Sequence, residues 1–412
     1  MLLETLGSLE FWKHVSIPFV AALVGWGTNW VAIKLTFRPL EFRGLPPFFG
    51  WQGIIPSKAG KMAATFAEST MFRLGTLGEI FRQMDPDVMA DHISAEIAPH
   101  LNDYTDEVLF YGGNGAVWRA LPRIVKRQIY QRVHEEMPRL VHNLMEDVGE
   151  NVDELMDFKH MLVSQLVEDK ALLNRLFLEA GREEFKFIVK SGLYFGFLFG
   201  LVQLGVWSVY KKWWVLPLFG GLVGYLTNWI AINLIFRPLR PKKVGKWTVQ
   251  GLFLKRQSEV AAVWCRLVTR EIVTIRQVID AMLHGPRSEA TRSLIKRHIQ
   301  PIADEALGAL RPAAELTVGS RGLEGLRNSV GEKAVQVSIE PFKNWSFIEE
   351  RASVLEELLY ERMAGLPPEE FQDLLRPCFQ EDELKLIVMG GVLGFLAGLA
   401  QLLFLFGGVA GL

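Results

Sequence analysis

Residues Pro18–Leu40 read PFVAALVGWGTNWVAIKLTFRPL, and Pro217–Leu239 read PLFGGLVGYLTNWIAINLIFRPL. Aligned without a gap, 14 of the 23 positions are identical. Each copy is an apolar run closed by Arg-Pro, and about 20 apolar residues suffice to cross a bilayer as a helix. A secretory signal peptide is the competing reading of the first copy. Its basic flank is only Lys13, and no small-residue cleavage site precedes Lys34 and Arg38-Pro39. The second copy lies in mid-chain, where no signal peptide operates.

The similarity continues outward from the block. After a one-residue gap, Gln52-Gly53 matches Gln250-Gly251, Lys58 matches Arg256 and Ala63 matches Ala261. Far downstream, Lys186-Phe-Ile-Val followed by Gly196-Phe-Leu-Phe-Gly-Leu-Val-Gln-Leu resembles Lys385-Leu-Ile-Val followed by Gly394-Phe-Leu-Ala-Gly-Leu-Ala-Gln-Leu. The fold class expected is an all-α integral membrane protein, a tandem duplication with four transmembrane helices. Repeat one covers residues 1–210, with spans at 15–37 and 187–210 around a soluble helical domain at 38–186. Repeat two covers 211–412, with spans at 213–236 and 386–409 around a soluble domain at 237–385. Each unit crosses twice, so both copies enter from one side, as parallel repeats about an axis along the membrane normal do.

Composition agrees with membrane helices joined to large water-exposed parts: 50% of the 412 residues are hydrophobic and 22% are charged. A net charge of -1 gives no footprint for nucleic acid. Cys265 and Cys378 are too few for a disulfide framework and lack metal-ligand spacing, so both read as packed thiols.

Between the spans the pattern is helical. Leu77, Ile80, Phe81 and Met84 recur at helical spacing, as do Leu173, Leu176, Phe177 and Ala180, and Ile272, Ile275, Ile279, Met282 and Leu283. These stripes are expected to bury against each other as domain cores, with a lipid-holding groove as the alternative. Asp85-Pro86 opens a helix, Gly112-Gly113-Asn114-Gly115 forms a loop, and Gly365-Leu-Pro-Pro separates two late helices. The Leu173 stripe runs without an obvious stop into the second span, so one continuous helix is expected there. Only Phe42–Pro56 and Trp247–Leu254 read as extended, in interfacial loops.

Basic residues near membrane ends set orientation. Arg237, Arg240, Lys242, Lys243, Lys246, Lys255 and Arg256 crowd one exit, and Lys34, Arg38, Arg43, Lys58 and Lys61 the other. The opposite face carries Lys13, Lys211 and Lys212. The soluble domains are therefore expected in the cytoplasm, with both termini outside.

Each first span carries a Thr-Asn pair, Thr28-Asn29 or Thr227-Asn228, and each second span one amide, Gln203 or Gln401. Polar side chains in hydrocarbon need partners, and Gly25, Gly220, Gly221, Gly224, Gly196, Gly200, Gly394 and Gly398 let helices approach. The expected pairing joins the asparagines to the glutamines, as interhelical glue or as a polar lining for a solute or headgroup. Lys34, Arg38, Arg237, Arg240, Lys242, Lys243 and Lys246 are candidate contacts to anionic lipid heads, or plain topology determinants. The first can snorkel from within its span.

No catalytic constellation is legible. His134-Glu135-Glu136-Met137-Pro138 lacks the second histidine of a zinc protease motif. Asp85, Asp87, Asp91 and His92 cluster where a helix N-terminus attracts acids anyway. There is no phosphate-cradling glycine loop or nucleophile elbow. The expectation is a non-enzyme with no cofactor and no metal.

The repeated Gly-[Trp/Tyr]-x-Thr-Asn-Trp block, the Gly53-Ile-Ile-Pro-Ser-Lys stretch, the Phe379–Leu384 segment and the terminal Gly-Phe-Leu-x-Gly-Leu-x-Gln resemble the domain-of-unknown-function 445 family of bacterial membrane proteins. The resemblance covers nearly the whole chain. It implies a membrane location and a helical body and carries no activity with it, and the location expected is a bacterial cell inner membrane. The function expected is a membrane scaffold or envelope factor binding lipids or partner proteins at the cytoplasmic face. The alternative is a transporter of lipid or small solute through a path between the repeats. Four helices are few for that, and no Asp or Glu sits at mid-membrane, so a homo-oligomer would have to build the pore.

Overall fold

The computed structural model describes residues 9–45, 49–111, 115–308, 324–325 and 327–406. The described chain is almost entirely helical. In order it forms α1 (Leu9–Phe37), β1 (Arg43–Leu45), β2 (Phe49–Trp51), α2 (Ile54–Ser57), α3 (Ala59–Leu74), α4 (Leu77–Gln83) and α5 (Pro86–Ile97). Then come α6 (Leu101–Tyr111), α7 (Gly115–Ala120), α8 (Arg123–Leu155), α9 (Phe158–Glu168), α10 (Lys170–Ala180) and α11 (Arg182–Val209). The second half holds α12 (Val215–Phe236), β3 (Lys242–Val244), β4 (Trp247–Val249), α13 (Leu252–Lys255), α14 (Gln257–Leu267), α15 (Ile275–His284) and α16 (Ser288–Gly308). A helix over residues 327–337, here α17, precedes α18 (Trp345–Ala364), α19 (Pro368–Leu375) and α20 (Pro377–Leu405).

Local chemistry places the boundaries. Asp85 caps α5 by accepting from Val88 N, and Thr274 with Gln277 forms a capping box on α15. Gly365 to Pro367 separates α18 from α19 as expected. Three expectations need correction. The single helix expected from the Leu173 stripe into the second span is broken at Gly181, which ends α10 and precedes α11. Ile54–Pro56 and Leu252–Leu254, read as extended, are the short helices α2 and α13, whereas Lys242–Val244 is a strand. Gly115 opens α7 instead of closing a loop, while Gly112 to Asn114 lie outside the described residues, as do 407–409 of the fourth span.

Helices α1, α11, α12 and α20 contain the four segments long and apolar enough to cross a membrane: Phe11–Phe37, Arg182–Val209, Val215–Phe236 and Glu383–Leu405. The chain divides into two compact units. Unit 1 gathers Met1–Arg73, Gln165–Cys265 and Tyr360–Leu412, and unit 2 gathers Leu74–Ser164 and Arg266–Leu359. Both units thus take segments from both halves of the sequence.

In unit 1, α1 packs along α11, α12 packs along α20, and α11 and α12 bring the two pairs together. Ile17, Trp207, Val215, Leu216 and Leu402 form a buried cluster in this bundle. Its outward surface stays apolar: Phe19, Leu23, Trp30, Tyr194, Leu222 and Phe395 are all exposed. Water penalises such a surface, whereas lipid does not.

Candidate functional site

Asn29 is fully buried on α1, and its Nδ2 donates to the main-chain oxygen of Ile188 on α11 at 2.8 Å. Asn228 on α12 does the same to Leu386 O on α20 at 3.0 Å. The asparagine–glutamine pairing expected from the sequence is therefore not made. Register separates them: Gln203 lies 15 residues beyond Ile188 on α11 and Gln401 15 beyond Leu386 on α20, ~22 Å along each helix. A Cβ on Gly196 would lie 2.6 Å from Ala21 O, and one on Gly192 would lie 2.6 Å from the Asn29 amide. With glycine lining the contact, the main chain of the second span comes within reach of a short side chain. Thr28 and Thr227 bond back within their own helices, to Gly25 O at 3.2 Å and Gly224 O at 3.3 Å. Gln203 and Gln401 are buried, and the Nε2 of each has no hydrogen-bond partner.

At the exits of α1 and α12 the same contacts recur. Gly53 N donates to Pro39 O at 2.9 Å and Gly251 N to Pro238 O at 3.0 Å. Gln52 Nε2 donates to Leu40 O at 2.7 Å, and Gln250 Nε2 to Leu239 O at 3.2 Å. In the β1–β2 hairpin Gly44 stands opposite Gly50, and its φ of +136° and the Phe49 O that a Cβ would strike leave no room for a side chain. Leu45 and Phe49 on this hairpin are 74% and 81% exposed, a pair of apolar groups held out beside a membrane exit.

The basic candidates all lie on the surface: Lys34, Arg38, Arg237, Arg240, Lys242, Lys243 and Lys246 are exposed. Lys34 stands over the Trp30 ring at 4.8 Å. Arg240 pairs with Glu369 at 2.6 Å. Hydrogen bonding to its own main chain and to Arg240 holds the Glu369 carboxyl below its usual range.

Sequence reasoning missed three buried polar features of unit 1. Glu184, on the first turn of α11, meets Arg256 at 2.8 Å, with 4% of its side chain exposed. Asn174, inside the Leu173 stripe, donates to Phe37 O at 2.6 Å and ties α10 to the end of α1. With its amide turned to suit its neighbours, Gln372 on α19 donates to Phe236 O at 3.0 Å at the end of α12. Cys265 is buried beside Met363, while the Cys378 side chain lies outside the described residues.

Unit 2 carries the most distinctive feature of the described chain, a cavity of about 270 Å³. Its walls come from α4, α5, α6 and α8 on one side and α15, α16 and α17 on the other. Leu77, Ile80, Phe81 and Met84, expected as core, line it, as do Ile275, Ile279, Met282 and Leu283. The third stripe packs elsewhere: Leu173, Leu176, Phe177 and Ala180 are buried in unit 1. Polar ties brace the walls at their edges. His298 meets Asp147 at 2.7 Å, joining α16 to α8, and His142 meets Asp91 at 3.5 Å, joining α8 to α5. His92 stacks on Phe347 with ring centroids 3.7 Å apart. Among the described residues, one charged side chain lines the cavity, Lys333 on α17. Burial and a hydrogen bond to Asp106 push the Tyr130 phenol, on α8, up to about 12.

Comparison with known proteins gives relatives named UPF0754 membrane proteins. One from Synechococcus sp. strain JA-3-3Ab is 22% identical over 96% of this chain and 100% of its own length. Others, from Exiguobacterium sibiricum and Staphylococcus carnosus, are 32% and 31% identical over 20% of this chain and 22% and 23% of their own lengths. No family model matches the chain, and no solved structure does. With four helices of membrane-crossing length and relatives of this kind, the chain is a multi-pass, all-α membrane protein similar along its length to the bacterial UPF0754 membrane proteins.

Proposed function

We propose that this chain is a membrane-anchored, non-enzymatic helical protein whose unit 2 holds the hydrocarbon of a lipid. The carrying observation is the cavity of about 270 Å³ lined almost wholly by apolar side chains. The space is partly open, and apolar walls that face no partner atoms forgo dispersion contacts. Water gains little there, because it needs two to four polar partners. An apolar guest removes the deficit. The volume exceeds the ~150 Å³ of an engineered cavity that admits benzene, and approaches the ~300 Å³ lower bound of ligand pockets, which suits one acyl chain.

In this reading the chain is a tandem duplication akin to the domain-of-unknown-function 445 family. It resides in a bacterial inner membrane with its helical body on the cytoplasmic side. The matched contacts of Asn29 and Asn228, and of Gln52 and Gln250, support the duplication. The exposed basic residues and the Leu45 and Phe49 side chains suit an anionic lipid surface.

The test uses purified full-length protein in nanodiscs and a photoactivatable hexadecanol, with crosslinks mapped by mass spectrometry. Label is expected in peptides from 129–156 and 273–299, and it should fall when Ala303→Phe fills the cavity. Label confined to the four membrane helices refutes the reading. A second reading, passage of a small solute through the membrane bundle of an oligomer, is favoured by the unpartnered amides of Gln203 and Gln401. Solute flux into proteoliposomes that is lost in Gln203→Leu would support it.

A further inference from the structure

We infer that the guest of the unit 2 cavity is a long-chain fatty acid, its carboxylate held by Lys333. This rests on the lipid-holding reading and adds the identity of the polar end. Lys333 is the one charged residue among the described side chains that line the cavity, and its side chain is only 14% exposed. An ammonium so nearly removed from water needs an anion beside it. Glu107 supplies one now, with Oε2 2.6 Å from Nζ, while the Tyr104 ring lies 5.1 Å below the charge. Glu107 itself is 48% exposed, so it can turn into solvent at little desolvation cost. The position beside Nζ is therefore one that a carboxylate already fits and one from which the resident carboxylate can leave.

The neighbouring lining favours the same ligand. Tyr104 and Thr105 border the cavity with Lys333, whereas Val108, Val330, Ala334 and Val337 continue it as hydrocarbon. A single acyl chain along those apolar walls would bring its terminal carboxylate to the ammonium. A cationic head would meet Lys333 with like charge, and an alcohol would forgo the charge-assisted bond.

The experiment compares photoactivatable hexadecanoic acid with photoactivatable hexadecanol in full-length protein, in nanodiscs of zwitterionic lipid at neutral pH. Wild type should take label in unit 2 from the acid at a concentration roughly tenfold or more below that needed for the alcohol, the scale of one charge-assisted hydrogen bond. Lys333→Gln should remove this preference while keeping the alcohol labelling, and Lys333→Arg should retain it. Glu107→Gln, which withdraws the competing carboxylate, should increase the preference. A merely structural Lys333–Glu107 pair would leave selectivity unmoved in both Lys333→Gln and Glu107→Gln, and that result overturns the inference while the lipid-holding reading stands. Absence of unit 2 label with either chain overturns both.

Discussion

Asn29 binds Ile188 through a main-chain carbonyl, Nδ2 to O at 2.8 Å, with the glycine face of α11 set against α1. The tie needs a carboxamide but no particular side chain on the partner. Asn29→Leu should destabilise the α1–α11 pair by ~0.6–2 kcal/mol, the span found for interhelical hydrogen bonds in membranes. Changing Gln203, toward the other end of α11, to Leu should be neutral or stabilising, because it removes a desolvated donor that has no partner. Reversible unfolding in mixed micelles measures both, and equal losses in the two variants would contradict this assignment.

Two glycines of α1 differ in what surrounds them. A Cβ on Gly25 would strike the main-chain oxygen of Gly192, whereas one on Gly27 meets nothing within 4 Å. Gly25→Ala should therefore force the helices apart and lower the thermal midpoint. Gly27→Ala should be neutral, or stabilising by up to ~1 kcal/mol through helix propensity. Comparable losses at both positions would exclude this packing.

Arg256 is the counter-charge to a nearly inaccessible carboxylate, Glu184. Arg256→Met should cost ~3–5 kcal/mol by stranding that charge. Adding Glu184→Gln should recover much of the loss, so a double-mutant cycle on the full chain decides the matter.

The Arg240–Glu369 pair predicts a pH dependence. The folded state lowers the Glu369 pKa, so its contribution is complete above the ordinary glutamate value of ~4.3 and is lost as pH falls through the lowered value. The stability difference between wild type and Arg240→Gln, followed by thermal melts from neutral to acid pH, should close in that acid range. A difference that persists unchanged in acid would contradict the pairing.

The membrane helices were legible because bilayer crossing demands long apolar runs, and the repeated Thr-Asn-Trp block marked them twice. The partners of their polar residues were not. Which carbonyl Asn29 reaches depends on helix rotation and on how far Gly192 and Gly196 let the backbones close, and spacing does not encode either. One exchange is legible in the sequence: Glu41 pairs with Lys170 at 2.9 Å, and Arg240 with Glu369, both 129 residues apart with the charges reversed. Aligning the halves residue by residue exposes that exchange. The Leu77 and Ile275 stripes, expected as domain core, line the unit 2 cavity. A stripe reports which face is apolar but not how far it stands from the opposite wall, so the cavity was invisible until the helices were placed. Gly181 failed as a stop signal because a lone glycine costs a helix only ~1 kcal/mol, and its amide still bonds to Phe177 O as a continuing helix would.

The most direct measurement is a high-resolution cryo-electron microscopy map of the full-length protein purified with native lipid. An elongated density, one hydrocarbon chain wide, is expected between α8 and α16 inside unit 2, with one end at Lys333. Walls collapsed onto each other, with Met145, Leu144 and Ile295 filling the space and no guest density, would contradict the account.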